Sequence, residues 1–247
     1  MEPFTTQVDE IADDIYRLST WIPEVSDDGF TFNQFLIRAE EPLLFHTGMR
    51  TMFPLVSEAV ATILPPESIR WISFGHVEAD ECGSMNMWLT TAPGSEVVFG
   101  ALGCDVSLND MCDRPPHVLE DEVLDIGGKR VRQISTPHVP HGWEAQVLFE
   151  ETTGTLLCGD LFSQVGAPKA ITTDSLVDPA IAAEQMFHAT CLAPHTAETL
   201  RELGDLEPTT LAVMHGSSYH GDGRRALHEL AAAYEQLMTA EPVGSAT

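Results

Sequence analysis

The sequence is poor in basic residues, and lysine is almost absent. Lys and Arg total 12 against 38 Asp and Glu, the formal net charge is −26, and Lys129 and Lys169 are the only lysines. Proteins that bind nucleic acid or an anionic membrane surface need a basic footprint. The composition therefore argues against both partners, and we attribute most of the acidity to solubility.

Long hydrophobic runs and a basic leader are missing as well. No run reaches the roughly 18 apolar residues of a membrane-spanning helix. The start, MEPFTTQVDE, lacks the basic and apolar regions of a secretory signal, so we expect a cytoplasmic protein. The cysteines are scattered and form no CxxC pair, which predicts reduced thiols and no disulfide frame or thiolate zinc site: Cys82, Cys104, Cys112, Cys158 and Cys191.

Strand-like and helix-like segments alternate along the chain without a linker between them. IYRLSTWI, FTFNQFLIRA, RWISF and TTLAVMHG are typical of strands, LVSEAVATIL and GRRALHELAAAYEQLM are typical of helices, and AQVLFEE with TLLCGD predicts a hairpin. This alternation predicts one layered α/β domain over residues 1–247, with a frayed tail from about Thr239.

Histidines and acids follow directly after four of the predicted strands. The segments are WISFGHVEADE, ISTPHVPHGWE, TLLCGD and LAVMHG. In a layered sheet structure such strand ends meet at one edge, where sites form. We therefore expect these side chains to lie together: His76, Glu78, Asp80, Glu81, His141, Asp160 and His215.

Imidazole and carboxylate are the ligands of divalent first-row metals that bind without thiolates. Four of the acids carry a total charge of −4, which two divalent cations would neutralise; without cations they would repel one another. Each segment alone is weak evidence, because a single histidine after a strand is more often structural and acids suit a helix start. The occurrence of all four segments, each directly after a predicted strand, favours a dinuclear metal site.

The segments HVEADECGS, TPHVPHGWE, LLCGDLF and VMHGS together resemble the metallo-β-lactamase fold in its diiron branch. That branch contains the flavodiiron proteins and the shorter oxygen-binding diiron proteins. The general superfamily carries HxHxDH, whereas the diiron branch carries HxExDH, and Glu78 is that glutamate. The resemblance covers nearly the whole chain and implies an αββα sandwich with two mixed sheets flanked by helices.

The resemblance also implies roles for individual residues. His76, Glu78 and His141 would bind one iron, Asp80 and His215 would bind the other, and Asp160 would bridge them. His138 and Tyr219 are second-shell candidates. The implied protein is a homodimeric non-haem diiron protein that binds, senses or reduces O2 or NO, as an oxidoreductase if it is an enzyme.

The sequence departs from the branch in two places. The branch usually has histidine after the aspartate of the first motif, where this chain has Glu81, so the ligands of the second iron are open. No flavodoxin domain follows His215, so we expect no flavin in this chain and an external electron donor or signalling protein.

Two other functions stay open. The first is a dinuclear zinc or manganese hydrolase that acts on a lactone, ester or phosphoester with Asp80 as base; Glu78 speaks against it, because hydrolytic members usually have histidine there. The second is an interaction protein whose site is degenerate, with Glu81 marking lost binding of the second metal.

Overall fold

The computed structural model describes residues 4–119 and 123–239. Within them the strands of the first sheet are β1 (Thr6–Ala12), β2 (Ile15–Ile22), β3 (Phe30–Ile37), β4 (Leu43–Phe45), β5 (Trp71–Ser73), β6 (Glu96–Phe99) and β7 (His117–Val118). Those of the second sheet are β8 (Val123–Asp125), β9 (Arg130–Ser135), β10 (Gln146–Glu150), β11 (Thr155–Leu157), β12 (Ile171–Thr172), β13 (Thr210–Ala212) and β14 (Ser218–His220).

Both sheets are mixed. The first runs in chain order from β1 to β7, with antiparallel pairs up to β4 and parallel pairs from β4 onward. The second has the order β12-β14-β13-β11-β10-β9-β8, with parallel pairs at β12–β14 and β11–β13. The helices are α1 (Phe53–Ala61), α2 (Ala79–Cys82), α3 (Met85–Thr91), α4 (Ala101–Gly103), α5 (Asn109–Met111), α6 (Val177–Phe187), α7 (Thr196–Gly204) and α8 (Gly223–Thr239), with a π-helical segment (Cys104–Leu108) between α4 and α5.

Side chains that alternate along the strands divide the core into layers. In β3, Phe32 and Leu36 pack with α1 and α3 on the outer face, while Phe35 and Ile37 pack against the second sheet. In β10, Leu148 faces the first sheet, and its neighbours on either side pack toward α6, α7 and α8. Such alternation places one apolar set on each face of a strand. The layers therefore stack as helix, sheet, sheet, helix, which confirms the αββα sandwich.

The register of β11 and β13 brings two of the predicted site residues together. Leu157 pairs with Ala212 across the parallel ladder. Three residues after each of them come Asp160 and His215. The first motif likewise follows the end of β5, whose neighbours β4 and β6 are parallel to it. The chain thus delivers ligands from both sheets to one edge of the sandwich.

Hydrogen bonds tie the two sheets together at this edge. Asn33 Nδ2 of β3 donates to the carbonyls of Val213 (2.8 Å) and Gly216 (3.0 Å), both in the segment after β13. His215 Nδ1 lies 2.8 Å from the Thr31 carbonyl, which accepts its proton. Because these groups are buried, each hydrogen bond restricts the loop that carries His215.

Two separate helices flank Pro194, since α6 ends at Phe187 and α7 begins at Thr196. His188 ends α6 in the left-handed conformation (φ 50°). The short strands β7, β8, β12 and β14 were not predicted from the sequence. All five cysteines are free, as predicted. The tail after Thr239 lies outside the described residues, and within them no helix is long and apolar enough to cross a bilayer.

Candidate metal centre

The loop after β5 presents the first predicted ligands. Glu78 has an extended backbone (φ −137°, ψ 158°) and immediately precedes α2. Extended backbone places residues two apart on the same side, and His76 Nε2 accordingly lies 2.9 Å from Glu78 Oε2. Asp80 does not continue this extended alternation, because it lies in the first turn of α2. The turn of that helix brings its carboxylate to a separate position.

A first cluster combines residues from both sheets. One ligand atom from each of His76, Glu78, His141 and Asp160 lies within 4.8 Å of all the others. His141 Nε2 is 3.3 Å from Glu78 Oε2 and 3.6 Å from Asp160 Oδ2. Two imidazoles and two carboxylates that converge in this way form a donor set suited to a divalent metal.

A second cluster shares Asp160 with the first. His215 Nε2 lies 3.2 Å from Asp160 Oδ1 and 3.5 Å from Asp80 Oδ2. Asp160 therefore directs one oxygen toward each cluster, and Oδ1 is buried without a hydrogen-bond partner of good geometry. A buried carboxylate oxygen without such a partner is costly unless a cation binds it. The donor set and this oxygen fit a pair of bridged metal ions.

Opposite charges dominate the electrostatics of the metal-free site. Burial lowers the pKa of His76, but Glu81 and Glu78 outweigh it and raise the pKa to about 12. Burial likewise opposes charge on His215, but the nearby carboxylates of Asp160 and Asp80 raise its pKa to about 10. Hydrogen bonds from His141 and His76 lower the pKa of Glu78 to about 2.

For Asp160, burial raises the pKa, and His215 and the other histidines lower it below its ordinary value. Without metal, the site therefore holds protonated histidines against ionised carboxylates. A cation that enters it has to displace these protons.

Glu81 takes a different position from the other six predicted ligands. It is fully buried, and its Oε2 accepts a hydrogen bond of 2.6 Å from the backbone N–H of His76. Its Oε1 lies 3.2 Å from His76 Nδ1 and 3.4 Å from His46 Nε2. The carboxylate thus faces Nδ1 of His76, the ring nitrogen on the side away from the first cluster. Among the described residues it forms no hydrogen bond or ion pair with the second cluster that would support its prediction as a metal ligand.

A cavity of about 570 Å³ opens above the clusters. Glu78, Asp80, His141, Asp160 and His215 form its floor. Its walls are largely apolar and come from β3, α6 and α8: Phe30, Phe32, Ala180, Ala183, Phe187 and Tyr234. These residues were not predicted from the sequence, because they resemble ordinary core residues. Phe30 stacks on the His215 ring with centroids 4.3 Å apart, which fixes the plane of that imidazole.

Among the described residues, neither second-shell candidate forms a hydrogen bond or ion pair with a proposed ligand. His138 is exposed, and its ring centroid lies 6.4 Å from that of His195. Tyr219 packs in the apolar core between the second sheet and its helices. Within the described residues, the groups that support the first motif are instead Glu81, His46 and Glu144, whose Oε1 accepts a hydrogen bond of 3.0 Å from the Val77 N–H.

The sequence of the chain matches a known family. The sequence profile described as "ODP family beta lactamase" matches residues 30–216 of the chain. The chain belongs to this family. Its relatives include the putative diflavin flavoprotein A 1 of Nostoc sp., 28% identical over 228 residues, which cover 86% of this chain and 39% of the relative. The rubredoxin-oxygen oxidoreductase of Megalodesulfovibrio gigas is 21% identical over 206 residues, which cover 80% and 51%.

Solved structures agree with the family assignment at the level of fold. A flavoprotein from Thermotoga maritima superposes with a TM-score of 0.82 at 19% identity, over 95% of this chain and 62% of that protein. At this identity the likeness establishes the metallo-β-lactamase-like fold. The chain spans between about 39% and 51% of the length of the two sequence relatives named above, so their complete activities do not transfer to it directly.

Proposed function

We propose that the chain is a non-haem diiron protein that binds, senses or reduces O2, or NO, at a dinuclear site, with electrons supplied by an external donor. The observation that carries the proposal is the bridging geometry of Asp160, with one oxygen 3.6 Å from His141 Nε2 and the other 3.2 Å from His215 Nε2. Family membership supports it independently.

The donor types favour iron over zinc. Glu78, Asp80 and Asp160 contribute hard oxygen donors, whereas structural and hydrolytic zinc sites rely more on histidine and cysteine. A bound pair of ferrous ions would supply the electrons for reduction of a diatomic ligand. Among the relatives, the Megalodesulfovibrio protein is named for both rubredoxin and oxygen. That name supports an external redox protein as the donor here.

Each part of the site has its own task in this proposal. His76, Glu78 and His141 would hold one ion, Asp80 and His215 the other, and Asp160 both. Phe30 and Phe187 line the cavity above the ions. Apolar walls of this kind admit a small uncharged ligand and limit the number of water molecules beside it.

Metal analysis combined with absorption spectroscopy tests the proposal. Protein produced in iron-replete medium and purified without oxygen should contain about two iron ions per chain. Admission of air should then produce a near-UV charge-transfer band. Protein that contains only zinc and shows no such band would contradict the proposal.

The size of the cavity favours a second candidate, a dinuclear metallo-hydrolase. A volume of about 570 Å³ lies in the range of small-molecule sites and exceeds what O2 requires. In this case Asp80 would accept a proton from the attacking water. Metal-dependent turnover of a panel of lactones, esters and phosphodiesters would support it, and Asp80→Asn should then abolish turnover.

We also propose that the protein is a homodimer, because the diiron branch that it resembles is often dimeric. Large apolar side chains are exposed near the site, including Trp143 (54% exposed) and Phe187 (40%). Burial of such residues stabilises an interface. Light scattering after size-exclusion chromatography measures the mass, and a single species of about 27.0 kDa would contradict a dimer.

A further inference from the structure

Both oxygens of the Glu81 carboxylate lie close to His76, and Oε2 is the one that forms a hydrogen bond of good geometry. Oε2 accepts the hydrogen bond from the His76 backbone N–H, and Oε1 lies 3.2 Å from Nδ1 of the same residue. The other ring nitrogen of His76, Nε2, lies 2.9 Å from Glu78 Oε2 and 3.8 Å from Asp160 Oδ2. The His76 ring therefore lies between Glu81 on one side and the first cluster on the other.

The backbone around Glu81 holds it in this place. The Thr47 N–H and hydroxyl both donate to the Glu81 carbonyl, at 2.6 and 3.2 Å. The Ser84 hydroxyl donates to the Thr47 carbonyl at 2.7 Å. These hydrogen bonds hold the backbone of Glu81 against the segment after β4. Rotation of the carboxylate toward the second cluster would break its own hydrogen bond to the His76 N–H.

Two glycines leave the space that the carboxylate fills. A Cβ atom at Gly75 would lie 3.1 Å from both carboxylate oxygens of Glu81, and one at Gly159 would lie 3.5 Å from Oε1. His46 closes the remaining side, with Nε2 at 3.4 Å from Oε1, and is itself fully buried. His46 Nε2 forms no hydrogen bond of good geometry with Oε1, and the other ring nitrogen, Nδ1, lies 3.4 Å from the Asn33 carbonyl.

We infer that Glu81 is a positioning residue that orients His76 through Nδ1, with His46 behind it, and that it is not a ligand of the second metal. The inference rests on the proposed metal centre. A carboxylate on the far nitrogen of a ligating histidine fixes the tautomer and the ring plane, and its loss typically weakens metal binding about 10- to 100-fold. Within residues 4–119 and 123–239, the second ion then has only Asp80, Asp160 and His215 as ligands, so the two positions should differ in affinity.

The test uses metal-free protein titrated with Co²⁺ against a chromophoric chelator, which gives both stoichiometry and affinity. Asp80→Asn removes a ligand of the second position alone and should reduce the strongly bound Co²⁺ to about one ion per chain. In that background, Glu81→Gln should weaken the remaining ion about 10- to 100-fold. The d–d bands of that ion should change in intensity, because the His76 ring is no longer held.

Glu150→Gln is the matched control, because Glu150 is also fully buried and accepts backbone hydrogen bonds from Thr152 and Thr153 (2.8 and 2.9 Å). Unlike Glu81, it lies at the end of β10 and does not contact a proposed ligand. It should leave Co²⁺ affinity unchanged. Gly75→Ala is a second variant that displaces the carboxylate and keeps its charge, and it should weaken the same ion. Circular dichroism establishes that each variant is folded.

The outcomes separate this inference from the proposed function. If the parent protein binds no Co²⁺, the metal centre itself is wrong, and the inference is wrong with it. If the parent binds two ions but Glu81→Gln has no effect in the Asp80→Asn background and removes one ion in the parent background, Glu81 is a ligand of the second metal. In that case the inference alone is overturned.

Discussion

The affinity of the second position for a metal ion should rise steeply with pH. Burial opposes charge on His215 in the metal-free protein, but the nearby carboxylates of Asp160 and Asp80 raise its pKa to about 10. Its Nε2 faces both carboxylates and is the atom that a metal would bind. At any pH well below 10, binding must therefore release one proton from this ring.

The size of the effect follows from this proton count. Release of one proton raises the binding constant about tenfold per pH unit, or about 1.4 kcal/mol. Between pH 6.5 and 8.5 the second ion should thus bind about 100-fold more tightly. The first position should respond at least as strongly, because Glu81 and Glu78 raise the pKa of His76 to about 12 against the effect of burial.

Competition with a chelator of known protonation constants measures the affinities at constant ionic strength. Zn²⁺ serves as the probe, since it is not oxidised during the titration. His215→Ala is the control and should remove the second, pH-dependent phase. A second affinity that is independent of pH between 6.5 and 8.5 would refute the reasoning, because His215 would then be neutral before the metal arrives or would not bind it.

Further predictions concern the metal-free fold and its ligands. The stabilisation from protonated His215 is fully present below the unfolded pKa of about 6.5 and is lost as pH rises through about 10. The melting temperature of the metal-free protein, measured by calorimetry, should therefore fall over this range. Asp160→Asn should reduce bound metal from about two ions to one or fewer by elemental analysis; retention of both would exclude a bridge. Asn33→Ala removes two buried hydrogen bonds and should lower the free energy of unfolding in urea by about 2–4 kcal/mol. His188→Gly should raise it by about 0.5–1 kcal/mol, because His188 ends α6 with φ 50°, and a decrease would contradict this account.

The sequence was sufficient to predict the main elements and the ligand edge, because both depend on local patterns. Apolar-rich runs such as FTFNQFLI correspond to strands that are buried on both faces. His76, Asp160 and His215 were recognisable because each follows directly after such a run. In a layered sheet the strand direction alone brings these positions to one edge.

What the sequence did not predict depends on which way a side chain turns. Glu81 follows Asp80 directly, and only the turn of α2 separates the two carboxylates. His46 directly follows β4, and its ring lies 3.4 Å from the Glu81 carboxylate. His138 was a reasonable second-shell candidate by its position, but φ of 64° at this residue belongs to a turn that leaves its ring exposed. Long-range contacts of this kind have no signature in residue spacing.

The six proposed ligands are divided evenly between the halves of the sandwich. His76, Glu78 and Asp80 follow β5 of the first sheet, while His141, Asp160 and His215 follow strands of the second. Ions bound between them would cross-link the two sheets across the apolar layer that joins them. The sheets could then separate only after the ions had left, and an ion present at 100 times its dissociation constant adds about 2.7 kcal/mol to the free energy of unfolding. Resistance to heat would then depend on the supply of metal, and a chelator would loosen the whole sandwich as well as empty its site.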